Sequence, residues 1–315
     1  MRKNDQNESN IDDDKIPPRR AVASSLLRDA LQAARFVMAP GCYNSLGARL
    51  AERHGFEAVY MSGLAVTASL LARPDLELLG MAEMVRQASL IASAVRIPVI
   101  ADADTGYGGL ANVERTTWSY MQAGVAAIHL EDQVSPKRCG HLAGVRLIEP
   151  EQMLAKLQTA TEARGDGDML IIARTDAFKV AGLDEAIRRA KLYAAVRPDV
   201  LFIDGVTEPR DFRQVRQSLE GPLMASIVEI DGPAKTSARQ LEQMGYSIAI
   251  FALSAIQASA GALDRLMAEI KSQGSTDRSF EGMMSYSILN KVLGIEHYHT
   301  LWDRLGDSEK TGEHS

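Results

Sequence analysis

The chain has 315 residues, 46% of them hydrophobic but only 5% aromatic, with a formal charge of −6 at neutral pH and a pI near 5.6. That balance excludes the basic footprint of a nucleic-acid binder, and no apolar run approaches the ~20 residues of a membrane span. Two cysteines far apart in sequence make no disulfide framework, so a reducing, cytoplasmic setting is expected for an aliphatic globular protein.

Residues 1–20 are polar, with Asp12-Asp13-Asp14, a Pro17-Pro18 break and no apolar stretch of a signal peptide; they read as a disordered tail. Short apolar runs then recur at Phe36–Ala39, Ala58–Met61, Pro98–Ala101, Ala126–Leu130, Met169–Ala173, Val200–Ile203, Leu223–Ile227 and Ile248–Leu253. They are too short for helices and too apolar for strands with one wet face, as the covered strands of a parallel sheet require. Between them, Met81–Val95, Val113–Ala123, Pro150–Ala163, Leu183–Val196 and Ala234–Met244 carry helical spacing. Pro150 fits a first helical turn, and Gly124 and Gly245 fit helix stops. About eight strand–helix units over residues 21–261 predict a (β/α)8 barrel as the catalytic domain; a doubly wound open sheet is the competing arrangement. Residues 262–315 read as a C-terminal helical extension, broken at Gly274–Thr276, that exceeds what one barrel needs and is expected to pack on a partner subunit.

In such a barrel the chemistry sits at the carboxyl ends of the strands, and these runs end in polar groups: Tyr60 to Gly63, Asp102-Ala-Asp104, Glu131-Asp132, Arg174-Thr-Asp176, Asp204 to Glu208, Ser226 to Glu229, and Ser254. Asp102 and Asp104 alternate, so both can face one pocket. With Glu131 on the next strand they suit a hard cation such as Mg²⁺, which takes one or two carboxylates and keeps waters. The bland alternative is that both aspartates cap the turn that follows. Gly106, Gly108 and Gly109 read as a flexible entry, since no Gly-Lys-Ser/Thr follows. Cys139 lies among Lys137, Arg138 and His141, and cationic neighbours favour a thiol that donates a proton or attacks. Cys42 has no such setting and reads as a buried hydrophobe. Arg174 can grip a carboxylate with two hydrogen bonds, or form a structural ion pair with Asp176 or Glu208. His54, His129, His297 and His299 form no ligand spacing along the chain.

Together, from about Ser25 to Leu305, these motifs resemble the isocitrate lyase/phosphoenolpyruvate mutase superfamily, within it the methylisocitrate lyase and 2,3-dimethylmalate lyase branch. The markers are Val59-Tyr-Met-Ser62-Gly63, Pro74-Asp75, Ile100 to Gly109, Glu131-Asp-Gln133, Lys137-Arg-Cys-Gly-His141, Ala173 to Ala177 and Val206-Thr-Glu208. The resemblance implies a Mg²⁺ (alternatively Mn²⁺) enzyme, a homodimer or homotetramer with swapped C-terminal helices. Asp102, Asp104 and Glu131 would surround the ion, and Asp75 would sit near it. Tyr60, Ser62, Gly63, Leu64, Gly140, Arg174, Glu208 and Ser226 would bind a di- or tricarboxylate. The loop carrying Lys137, Cys139 and His141 would close over it, with Cys139 delivering the proton after retro-aldol cleavage; metal-bound water or a carboxylate would take the hydroxyl proton. Methylisocitrate lyases usually carry Asn at the place of Ser226 and Arg at the place of Gln257, so these departures favour a dicarboxylate such as an alkylated malate. Alternatives are an oxaloacetate hydrolase, a phosphonomutase or phosphonohydrolase on the same scaffold, and a non-catalytic ligand-binding barrel.

Overall fold

The computed structural model describes residues 21–140 and 142–311; the expected tail over 1–20 and the expected catalytic His141 lie outside the described residues. Eight strands form one closed parallel barrel among the described residues: β1 (Val37–Cys42), β2 (Val59–Met61), β3 (Val99–Asp102), β4 (Ala127–Glu131), β5 (Leu170–Thr175), β6 (Val200–Ile203), β7 (Leu223–Ile227) and β8 (Ile248–Phe251). Four register pairs, from Val37 opposite Ile248 to Pro40 opposite Phe251, join β8 to β1 and rule out the open sheet.

Alternation along each strand divides the core in two. Tyr60, Ile100, Ile172, Phe202, Met224 and Ile250 pack together inside the barrel. Val59, Met61, Ala101, Ile128, Ile171, Leu201 and Ala225 pack outward under the helices. The same parity, carried one or two residues further, turns Ser62, Asp102, Glu131, Arg174, Asp204 and Ser226 inward at the carboxyl rim. The barrel therefore supplies an apolar floor and, above it, a ring of polar side chains.

The helices begin and end where local chemistry dictates. Pro150 opens the helix Pro150–Arg164 at a position whose N–H has no intrahelical partner anyway. The helix expected from Val113 starts earlier, at Leu110, because the Asn112 side chain accepts from the Gly109 N–H and caps the turn. The one expected over Ala234–Met244 is shorter, Ala238–Gln243, because Ser237 caps Gln240. No helix among the described residues is long and apolar enough to cross a membrane. Beyond β8 run the helices Ser254–Gln273, Tyr286–Val292 and Ile295–Thr311, the first stopped by left-handed Gly274. They leave Phe280 70%, Tyr286 81% and Trp302 58% exposed.

Candidate active site

The rim side chains converge on a cavity lined by Tyr60, Ser62, Leu64, Asp75, Asp102, Lys137, Cys139, Gly140, Arg174 and Ser226, with Asp204 beside Arg174 and an apolar wall of Phe202, Ile250, Ala252 and Leu253. Ser62 stands at the end of β2 and caps the next helix by accepting from the Ala65 N–H. Gly63 follows because its backbone must approach Asp102: its N–H lies 3.3 Å from Asp102 Oδ2, and a Cβ there would meet that oxygen at 2.7 Å. Gly140, on the loop over the cavity, is held to the same demand. A Cβ would lie 2.7 Å from both Asp176 Oδ1 and Asp204 Oδ2.

Two cations are sunk among acids. Lys137 Nζ is 2.6 Å from Asp75 Oδ2 and 2.7 Å from Asp104 Oδ1. Arg174 donates through Nη2 to Asp176 Oδ1 and Asp204 Oδ2, both at 2.8 Å, and its Nη1 is 3.2 Å from Glu131 Oε2. The structural ion pair read for Arg174 is thus present with Asp176; Glu208 instead pairs with Lys235 and does not line the cavity. Six buried carboxylates, those of Asp75, Asp102, Asp104, Glu131, Asp176 and Asp204, face these two cations. Burial drives the Glu131 and Asp104 carboxyls well up, and negative neighbours add to it. Burial also opposes ionisation of Asp102, but His129, Lys137, Arg174 and the Asp104 N–H outweigh it and hold the group down at about 2.

That excess of negative charge is the setting for a cation, and atoms are placed to receive one. Asp102, His129 and Glu131 each bring a ligand atom within 4.8 Å of the others. Among the described residues, Glu131 Oε1 and His129 Nδ1 have no hydrogen-bond partner although both are buried, and Glu131 Oε2 has only its ion pair with Arg174. The Tyr60 hydroxyl holds His129 Nε2 at 2.9 Å, leaving Nδ1 turned toward Asp102 Oδ1 at 3.7 Å. Burial lowers the His129 imidazole to about 4, so it is neutral at pH 7 and fit to donate a lone pair. The donor set therefore fits a divalent ion. Asp104 sits at φ +49, a left-handed conformation that Asp tolerates better than most residues.

Asp132, beside Glu131, turns outward and organises the rim from behind. Its carboxylate accepts from Thr175 Oγ1 (2.7 Å), the Asp176 N–H (2.9 Å), Arg189 Nη1 (3.1 Å) and the Tyr193 hydroxyl (2.7 Å), and it is fully buried. Asp132→Ala would take the acceptor from the Thr175 and Tyr193 hydroxyls and the Asp176 N–H, while Arg189 keeps Glu185 and the Ile148 carbonyl. It is expected to cost about 1–3 kcal/mol of stability for donors left unsatisfied, read as a lowered denaturation midpoint; an unchanged midpoint would show the network to be dispensable.

Cys42 is buried and burial pushes its thiol up to about 12, as expected of an inert cysteine. Cys139 is half-buried at the mouth of the cavity. The glycine turn is tighter than the flexible entry read from sequence: Gly106 at φ +82 would drive a Cβ to 2.6 Å from Val113, so the turn is packed.

The family model described as phosphoenolpyruvate phosphomutase matches residues 27–271. The 2-methylisocitrate lyase of Aeropyrum pernix is 41% identical over 273 residues, 87% of this chain and 88% of that protein. Among solved structures, a 2,3-dimethylmalate lyase described as a PEP mutase/isocitrate lyase superfamily member is 36% identical with a TM-score of 0.84, covering 92% of this chain and 97% of that one. An oxaloacetate acetylhydrolase bound to 3,3-difluorooxalacetate superposes with a TM-score of 0.85 at 30% identity, over 90% of this chain and 97% of that one. Matched along most of its length and built on the same barrel, the chain belongs to the isocitrate lyase/phosphoenolpyruvate mutase superfamily.

Proposed function

We propose that the protein is a Mg²⁺-dependent lyase that cleaves the C2–C3 bond of a substituted malate, releasing a 2-oxoacid and a carboxylic acid. The carrying observation is that Cys139 and Gly140 of the loop and Asp102, Ser62 and Arg174 of the rim line one cavity. Asp102, Asp104 and Glu131, beside His129, would hold the ion; Mn²⁺, which takes the same carboxylate oxygens, is the alternative. When bound, the ion supplies Lewis-acid stabilisation to the oxygen of the hydroxyl that becomes a carbonyl.

The chain's own groups do the rest. Arg174 and Ser62, with the Gly63 and Gly140 backbone, Tyr60 and Leu64, grip and orient the 2-hydroxy-acid end. Asp75 holds Lys137, whose ammonium stabilises the negative charge that develops on the departing acid. As the bond breaks, its electron pair moves to C3 and the Cys139 thiol protonates that carbon, while a carboxylate of the rim takes the hydroxyl proton. His141 would assist from the same loop.

Two features favour an alkylated dicarboxylate over a tricarboxylate. Gln257 is a neutral amide that donates to the Glu229 carbonyl at 2.9 Å, and Ser254 donates to the Glu229 carboxylate at 3.0 Å, so this end of the barrel offers no cation from either residue to a third carboxylate. The wall formed by Phe202, Ile250 and Leu253 instead suits methyl groups. A panel of malate derivatives with Mg²⁺ is expected to yield a 2-oxoacid from the 2,3-dialkyl members, read by coupled reduction. The likeness to an oxaloacetate acetylhydrolase favours a second reading, hydrolysis of oxaloacetate to oxalate and acetate. Oxalate without 2-oxoacid would establish it and dismiss the lyase of substituted malates.

We further propose residues 21–261 as the catalytic unit of a cytoplasmic homodimer or homotetramer. In it the exposed apolar residues of 262–315, Phe280, Tyr286 and Trp302 among them, pack on a neighbouring subunit.

A further inference from the structure

The loop over the cavity is held from two sides by residues that do not line it. On one side stands Glu77. One carboxylate oxygen accepts from the Lys137 N–H at 2.6 Å and the Ser135 hydroxyl at 2.8 Å; the other accepts from Thr105 Oγ1 at 3.3 Å. The loop bearing Glu77 also receives the Cys139 N–H on the Asp75 carbonyl at 3.0 Å. On the other side the Gln133 amide engages both backbone groups of Arg138: Nε2 donates to its carbonyl at 2.8 Å and Oε1 accepts its N–H at 3.0 Å. Gln133 Nε2 also lies 3.3 Å from Asp176 Oδ2, and the other oxygen of Asp176 receives Arg174. Gln133 is 1% exposed. Glu77 adopts φ +57, a conformation a side-chain-bearing residue keeps only when its surroundings over-determine it.

We propose that Glu77 and Gln133 are positioning residues, a two-sided clamp on the backbone of Lys137 and Arg138 that sets Cys139 over the cavity. The inference rests on the reading of Cys139 as proton donor, and it extends that reading to two residues that touch neither substrate nor ion. Apart from the Gly140 backbone, the groups that grip substrate stand on or at the ends of barrel strands, whereas the thiol stands on the loop itself, whose backbone at Lys137 and Arg138 is fixed by these bonds beside the Lys137 ion pairs to Asp75 and Asp104. Releasing the clamp therefore misplaces the donor while most of the substrate grip, held on the strands, remains, and a shift of about 1 Å in a reacting group can cost on the order of 10²-fold in rate.

The test compares Glu77→Ala, Gln133→Glu and Ser135→Ala with the full-length enzyme in Mg²⁺. Gln133→Glu keeps the acceptor and loses the donor; Ser135→Ala removes one Glu77 bond at an exposed site that threatens no core. Iodoacetamide alkylation of Cys139 is followed by peptide mass, with buried Cys42 as the internal measure of unfolding. Glu77→Ala and Gln133→Glu are each expected to speed Cys139 labelling on the order of tenfold and to lower kcat about 10²-fold with KM within about twofold. Ser135→Ala is expected to move both readouts less, in the same direction. Unchanged labelling and kcat in the folded variants overturns the clamp, as does labelling of Cys139 that rises only in step with Cys42. If Cys139→Ser proves fully active, the donor reading fails by itself, and the labelling rates still decide whether the clamp exists.

Discussion

Cys139→Ser is expected to lower kcat by about 10²–10⁴-fold, the range a positioned proton donor contributes, with KM and Mg²⁺ binding little changed. The substitution replaces sulfur by oxygen on a side chain that makes no part of the acidic cluster, so the residues that would hold the ion keep their geometry. What changes is the acidity of the proton offered to C3. A thiol titrates within a few units of neutrality, whereas an aliphatic hydroxyl does not, and a carbanion bearing a carboxylate needs the better donor. Single-turnover measurement with the best malate derivative separates this from slow product release. Near-normal turnover would remove Cys139 from the chemistry and leave Lys137 as the loop's contribution.

The second large effect is expected at Asp102. Asp102→Ala should abolish turnover and the Mg²⁺-dependent rise in thermal stability together. Asp102 is the one member of the acidic trio that lines the cavity, and its carboxylate is oriented by the Gly63 and Asp104 N–H groups. Its backbone carbonyl accepts from the Tyr120 hydroxyl, a bond that survives the substitution, so folding should persist. Acid should weaken the metal in the wild type for a different reason. Burial raises the Asp104 carboxyl to about 7 and drives the Glu131 carboxyl up as well, so protons compete for them as pH falls, while Asp102, held at about 2, stays ionised. The sign follows: apparent Mg²⁺ affinity, read by thermal shift, should be tighter at pH 8 than at pH 6. Full activity in excess chelator, or an unaltered metal response in Asp102→Ala, would refute the assignment.

The barrel was legible in the sequence because its strands must be apolar on both faces, and eight such runs alternating with helical spacing admit few arrangements. The inward ring was legible for the same reason: parity along β2, β3, β5 and β7 points Ser62, Asp102, Arg174 and Ser226 at one axis. What lay hidden is adjacency between strands. His129 shows no ligand spacing along the chain, yet the β3–β4 register sets it opposite Asp102, where its ring meets the acidic cluster. Likewise Glu131 stands opposite Arg174 in the β4–β5 register. Glu208 shows the limit of reading by strand end. It lies beyond the last inward turn after β6, where Asp204 enters the site and Glu208 faces Lys235. Gln133 stood in a marker motif, but its grip on Arg138, like Glu77 altogether, was beyond reach, because the contacts between two loops obey no period.

The bare α-carbon at Gly140 has a consequence for how this active site can diversify. Loop closure here is gauged by the absence of a methyl group: two acidic oxygens occupy the space a side chain would need. Any larger residue at this one position would prop the roof ajar and open the cavity to bulk solvent.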